Sequence, residues 1–554
     1  MSRKYTFLCV LSAVTCLVAT AEADVKLPAL FSDNMVLQRN MPIPIWGWAA
    51  PGETITASLD GQSASAVATA DGKWLLRLPK RAEGGPYELV VKGDNEIVIK
   101  NVMVGEVWVC SGQSNMEWTV RRAGDAEREM ADANYPLIRH FKVAKNPADE
   151  IKDDCAGKWE ECNPKNVGDF TAIGYYFARE LYSTLHISIG LINTSWSGTP
   201  VQDWTSAAAM RSEPTAREAY ETWLAATPPY DANKAEEEYQ KKLAEWKVAA
   251  EKAKADGTKA PSQPKKQKRG PGSARLYNGM IAPLIPYGIA GAIWYQGETN
   301  ALDKTYVFYE KWFPLMINNW RKDWGQGDFP FYYVQLANFM KTEEQPSDGG
   351  WPRVQEAQLH VLKTVPNVGM AVTIDIGEAD NIHPKNKQGV GQRLALWART
   401  KMYGQNKIAF SGPIFKSAEK QGDKFVITFD YVDGGLVAMA GPTAASAPTS
   451  AAAASVKGFA IAGADRQFVW AEAKIEGDKV IVWSKDVTDP IAVRYAWANN
   501  PVCNLYNSEG LPASPFRTDN LAADFKIPAS LPSPATSSAP ATAPATAPVL
   551  GTGD

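Results

Sequence analysis

Histidine is scarce in this 554-residue chain, which has only His140, His186, His360 and His383. Any chemistry that needs an imidazole base therefore has four candidates. Cysteine is nearly as rare, with six in all, and Cys9 and Cys16 fall in an N-terminal apolar run. The other four, Cys110, Cys155, Cys162 and Cys503, are spaced unlike any zinc site. Cys155 and Cys162 bracket a short loop compatible with either a disulfide or two thiols, whereas Cys110 ends an apolar strand and reads as a buried thiol. An excess of one charge is also missing. There are 58 Lys and Arg against 61 Asp and Glu, a net charge of -3, with no sustained basic face. That balance does not support strong attraction to nucleic acid.

Long apolar runs are absent except for one from about Tyr5 to Val18, too short to span a bilayer comfortably. Arg3 and Lys4 precede it, and the small-residue sites Ala19-Thr20-Ala21 and Ala21-Glu22-Ala23 follow. It reads as an export signal over residues 1–23. The expectation is a secreted or periplasmic protein with no membrane insertion.

The length calls for two to four domains. Over 24–100, short alternating segments such as Thr54 to Leu59 and Trp74 to Leu78 are punctuated by Asp60-Gly61 and Asp71-Gly72, the pattern of a small β-sandwich. The pattern then changes to apolar strands at Met103–Cys110, Ile187–Asn193, Ile289–Tyr295, Phe331–Leu336 and Met370–Asp375. Helical periodicity falls between them, over Asp169–Leu185 with Asp169 placed to cap, and near 303–323, 351–364 and 386–402. Strands alternating with helices predict an α/β domain over 101–406, with a largely parallel sheet covered on both faces. A charged, Ala-rich stretch at about 211–275 interrupts it and reads as a helical insertion. Tyr239, Leu243, Trp246 and Ala250 form its stripe, and it ends in the solvated basic loop Lys265 to Gly272. Strand-like alternation returns over 407–527 as a β-rich domain. A Pro-, Ala- and Thr-rich tail, 528–554, is expected to be disordered. Nineteen Trp are present. Indole faces stack on sugar rings, so Trp118, Trp196 and Trp204 are candidate platforms, although core filling is the commoner use of any one Trp.

Ser114, in Ser111-Gly112-Gln113-Ser114-Asn115-Met116, follows the first sheet strand, at the edge where open α/β sheets bind their ligands. A serine nucleophile needs a base. His186 lies at a helix-to-strand junction on the wrong end of the sheet, His360 falls within a helix, and His140 has no acid at suggestive spacing. His383 follows the last strand, and Asp380, three residues earlier, is spaced to orient it. Oxyanion donors are expected after the other strands: Gly198 and the amide of Gln296, with the Ser114 N–H as a third. Glu298 is spaced either to orient Gln296 or to bind a sugar hydroxyl. Each motif alone is commonplace, since Gly-x-Ser and Asp-x-x-His are usually turns. Their joint delivery to four strand ends carries the weight. Gly112-Gln113-Ser114-Asn115-Met116 lacks the second Gly of an α/β-hydrolase nucleophile elbow.

The blocks Trp108 to Met116, Trp294 to Asn300, Leu276 to Leu284 and Ile382-His383-Pro384 resemble the sialate O-acetylesterase-like family of the SGNH hydrolase superfamily, over most of residues 24–520. The resemblance implies a flavodoxin-like SGNH hydrolase domain flanked by β-domains. It implies Ser114, His383 and Asp380 as catalytic residues, and Ser114, Gly198 and Gln296 as the oxyanion hole. Gln296 stands where the superfamily commonly has Asn, and Ser197 where it often has Gly. Asn115, Glu298 and Trp196 are candidate substrate contacts. The implied activity is removal of O-acetyl groups from sugars, sialate foremost, without metal or organic cofactor. Acetylxylan or another polysaccharide is the alternative substrate, and a catalytically dead carbohydrate-binding protein the alternative class.

Overall fold

The computed structural model describes residues 24–226, 231–256, 261, 263–264, 273–439 and 455–519. The expected export signal, the basic run Lys265 to Gly272 and the 528–554 tail lie outside the described residues. Among the described residues no helix is long and apolar enough to cross a membrane.

Near the N-terminus, Ile43–Trp48 pairs with Lys73–Leu78, while Thr54–Leu59 pairs with Gln62–Val67 and Gly84–Lys92. Asp60 and Gly61 both have positive φ, 46° and 76°, the conformation of a two-residue hairpin turn whose twist matches its strands. The α/β core follows as β1 (Glu96–Gly112), α1 (Ser114–Glu117), β2 (Tyr135–Lys142), β3 (Trp159–Cys162), α2 (Ala172–Leu185), β4 (Ile189–Ser195), β5 (Gly291–Tyr295), α3 (Tyr306–Trp324), β6 (Phe331–Val334), α4 (Gly350–Thr364), β7 (Val368–Ala371) and α5 (Lys387–Lys401).

The sheet order is β7-β6-β5-β1-β4-β2-β3. Every neighbouring pair is parallel except β2–β3. Helices cover it, as the alternation of apolar strands and helices requires. The long β1 pairs at its start with Gly84–Lys92 and at its end with β4 and β5. One strand therefore joins the N-terminal β-layer to the catalytic sheet, and the division expected at residue 100 falls inside it. The pair β2 and β3 was not legible as strands. Pro136 and the charged Arg139 interrupt the apolar pattern, and Arg139 is buried only because Asn101 and Glu161 accept from its guanidinium.

The cap of α2 also differs from expectation. Thr171 accepts from the Gly174 N–H at 3.4 Å, and Asp169 instead pairs with Arg121 at 2.8 Å. Cys110, Cys155 and Cys162 are buried free thiols. The inserted segment forms the helices Pro214–Ala226 and Ala232–Ala255.

Among the described residues the C-terminal part builds two four-stranded sheets and a two-stranded one, and within one of the larger sheets the expected strands Lys424–Asp430 and Lys479–Trp483 are antiparallel neighbours. It grips the α/β core through Arg517, which pairs with Glu356 of α4 at 3.0 Å, and through Asn500, which accepts from Asn338 at 2.7 Å.

Behind the last strand, Arg393 of α5 binds both oxygens of Asp375 at 2.6 and 2.8 Å and donates to the Val372 carbonyl. Arg393→Met leaves Asp375 largely buried without its partner. It is expected to lower unfolding free energy by about 3–5 kcal/mol, read by urea denaturation. A change under about 1 kcal/mol would mean that this pair does not hold the loop after β7.

Candidate active site

The carboxyl end of β1 lies between β4 and β5, and the register sets Gly112 opposite both Ser195 and Tyr295. The chain leaves β4 toward one side of β1 and returns to β5 on the other, the switch point where such sheets bind ligands. Gly112 has a φ of +132°, and an added Cβ would lie 2.1 Å from the Tyr295 carbonyl oxygen. Only glycine permits the turn that lifts the chain out of the sheet. Ser114 is the first residue of α1 and is half-buried, and an N–H at that position has no acceptor within its own helix.

Gln113 anchors the turn from behind. Its N–H donates to the Tyr295 carbonyl at 2.9 Å, and its Oε1 accepts from Gln296 Nε2 at 3.3 Å and from the Thr299 N–H at 3.2 Å. Asn115 ties the turn forward. Its Nδ2 donates to Glu298 Oε1 at 2.5 Å and to the Ile382 carbonyl at 3.0 Å. Its Oδ1 accepts from Lys387 Nζ at 2.5 Å. Trp118, one turn after Ser114, stacks on His383 with ring centroids 4.7 Å apart and planes 19° apart. The nucleophile turn and the histidine loop are thus held side by side through residues adjacent to Ser114 and His383.

His383 is pushed down to about 4 by burial, then by the nearby Lys387 and Arg122 cations. It is therefore neutral at neutral pH and able to accept a proton. Asp380 is exposed, with neither a hydrogen bond nor an ion pair to His383. The structure thus places the expected acid in the same loop without joining it to the ring. The other histidines take structural places. His140 is buried against Phe170 and driven down to about 3, largely by burial. His186 ends α2 with a φ of 56°, and His360 lies 3.7 Å from Glu310 on the surface.

The donors after β4 and β5 differ from one another. Gly198 is exposed, with a φ of +72° that suits glycine. The neighbouring Ser197 N–H donates to Glu117 Oε2 at 2.8 Å, which leaves Gly198 to offer the open N–H of this loop. Gln296 departs from expectation. It is fully buried, and its Nε2 reaches Asn300 Oδ1 at 2.7 Å, the Thr199 carbonyl at 3.2 Å and Gln113. With both amide hydrogens so occupied it cross-ties the loops and has none left for an oxyanion. Glu298 Oε1 accepts from Asn115 Nδ2, not from Gln296, and its buried Oε2 has no hydrogen-bond partner. Asn115 and Glu298 are buried, so of the three expected substrate contacts only the half-buried Trp196 has open surface. Trp204 is core, and Trp118 is largely covered, with the exposed Arg122 guanidinium 3.6 Å over its ring.

Four residues of the site were missed in the sequence: Gln113, Arg122, Lys387 and Glu378, which accepts from Asn381 at 2.8 Å. Lys387 had a signal, lying four residues past His383 at the start of a helix. Among the described residues no group of three His, Cys, Asp or Glu is gathered to hold a metal.

Comparison with known proteins bears on this geometry. The profile of a family described as carbohydrate esterase, sialic acid-specific acetylesterase, matches residues 104–399. The sialate O-acetylesterase of Mus musculus is 31% identical over 539 residues, covering 88% of this chain and 93% of its own. The Homo sapiens sialate O-acetylesterase is 28% identical, with 89% and 92% covered. Among solved structures, a carbohydrate acetylesterase from Xanthomonas citri superposes with a TM-score of 0.74 at 38% identity, over 90% of this chain and 100% of that one.

Gly112→Ala forces a side chain against the Tyr295 carbonyl in a backbone conformation that costs L-residues about 1–3 kcal/mol before any clash. A loss of at least about 2 kcal/mol of stability is expected in denaturant titration. Wild-type stability would show that the β1 exit is not constrained in this way.

Proposed function

The chain belongs to the sialic acid-specific acetylesterase family of carbohydrate esterases, and from that premise we propose that Ser114 is its nucleophile and His383 its general base. The activity is hydrolysis of O-acetyl esters of sugars, the chemistry of a carboxylic ester hydrolase. The observation that carries the residue assignment is the Asn115 bond to the Ile382 carbonyl, which sets the Ser114 turn against the His383 loop.

In this mechanism the neutral His383 imidazole takes the Ser114 hydroxyl proton as the oxygen attacks the acetyl carbonyl. The Ser114 and Gly198 N–H groups receive the oxyanion. Collapse of the tetrahedral species breaks the bond between the acetyl carbon and the sugar oxygen, and His383 gives its proton to that departing oxygen, which leaves as the sugar hydroxyl. Water, deprotonated by His383, then attacks the acetyl-Ser114 ester and releases acetate. Asp380 is assigned the orientation of the imidazolium as it forms. Gln296 and Gln113 hold the donors in place from behind. Export, on the Arg3-Lys4 and apolar pattern of residues 1–23, belongs to the same proposal. Ser114→Ala is expected to reduce acetate release at least about 1,000-fold with the thermal transition unchanged. Near wild-type turnover by that variant would remove Ser114 from the mechanism.

For the sugar, we assign O-acetylated sialic acid. The mammalian relatives' names support it, as does Arg122, an exposed cation over Trp118 where a sugar carboxylate would be met. The likeness to the Xanthomonas carbohydrate acetylesterase supports a second reading, an acetylated polysaccharide. Arg122→Ala should raise KM for O-acetylsialate about 10-fold or more and leave KM for acetylxylan unchanged. Higher kcat/KM on acetylxylan than on O-acetylsialate, insensitive to Arg122, would favour the polysaccharide.

A further inference from the structure

Lys387 has no role in the steps above, yet it is fully buried beside them. It is the first residue of α5, where a cation opposes the helix dipole. Removing an ammonium from water there also carries a large desolvation cost. Stability alone does not favour a lysine at this position. Nζ donates to Asn115 Oδ1 at 2.5 Å and to the Pro384 carbonyl at 2.6 Å, and lies 5.6 Å from the Trp118 ring centroid. Glu298 holds the other end of the same amide. Asn115 thus lies between a buried cation on its oxygen and a buried carboxyl on its nitrogen. The polarity of the two neighbours fixes which way the amide points, and so directs its second hydrogen to the Ile382 carbonyl.

We propose that Lys387 is a positioning residue for acyl transfer: through Asn115 and Pro384 it registers the Ser114 turn against the His383 loop. The proposal rests on the assignment of Ser114 and His383 made above. The charges acting on His383 are Lys387 from α5 and Arg122 from the turn after α1; Glu378, Asp380 and Lys385 lie in its own loop without a hydrogen bond to the ring. Those acting on Lys387 are Glu298, Glu378 and Arg122. Burial is the larger cause of the low His383 value and Lys387 the next. Lys387 itself is lowered to about 7, chiefly by burial, so it is charged throughout the acid range in which His383 titrates. The sign follows: activity needs neutral His383 and is lost as pH falls through its folded value. Removing the cation raises that value and moves the loss to higher pH.

The test is the pH profile of kcat/KM on a chromogenic acetate ester for wild type, Lys387→Met and Lys387→Gln, with a fluorophosphonate label mapped to its residue. Wild type is expected to keep activity well below histidine's ordinary 6.5, down to about 4. In either variant the acid limb should move up by about one pH unit. Its kcat should fall about 10- to 100-fold, with KM within about threefold. A purely structural lysine would lower melting temperature without moving the limb. If the label maps to Ser114 and a folded variant keeps the wild-type limb and kcat, Lys387 has no positioning role while the nucleophile assignment stands. A label on another residue overturns that assignment instead. A wild-type limb near 6.5 contradicts the proposed effect of the Lys387 charge even if neither variant folds.

Discussion

The side-chain amide of Asn115 touches three separate parts of the chain: Glu298 after β5, Ile382 beside the candidate base, and Lys387 at the start of α5. Asn115 itself follows the candidate nucleophile directly. A side chain with two donors and one strong acceptor, all engaged, behaves as a rigid crossbar rather than a contact. It sits in a buried place, where an unmade bond is costly. The geometry of acyl transfer depends on this crossbar, because no hydrogen bond joins Ser114 and His383 directly and Asn115 links the two segments instead.

The larger architecture keeps the pieces that the crossbar joins from drifting. β1 is shared between the N-terminal β-layer and the central sheet, so the Ser114 turn leaves a strand paired along most of its length. The histidine loop is supported from the other side. Asn338 accepts from the Gly377 N–H at 2.8 Å, and the Met340 N–H donates to the Ala379 carbonyl at 3.0 Å. Asn500 of the C-terminal β-region in turn donates to the Met340 carbonyl at 2.6 Å. The flanking β-regions are therefore parts of the support for the site, placing functional loops on rigid elements.

Much of this was legible in the residues. Runs such as Val107 to Cys110 and Ile189 to Ile192 are apolar on both faces, which only a covered parallel sheet satisfies, and the helices between them repeat at helical spacing. Ser114, Gly198 and His383 stood out because each follows a strand. The illegible parts share one physical cause: they depend on partners distant in sequence. Arg139 makes β2 look polar until Asn101 and Glu161 are seen to satisfy it. Gln296 and Glu298 look like site groups but turn inward, toward Asn300 and Asn115. Lys387 reads as an ordinary helix-start lysine until its burial is known.

The central claim is that an acetyl group passes through Ser114 and that His383 governs its arrival and departure. Acid-quenching the enzyme during turnover of an acetylated sugar, followed by peptide mass mapping, tests it most directly. Acetyl on the peptide containing Ser114, absent from His383→Ala under the same conditions, is the predicted result. Turnover with the acetyl carried on another residue would contradict the account.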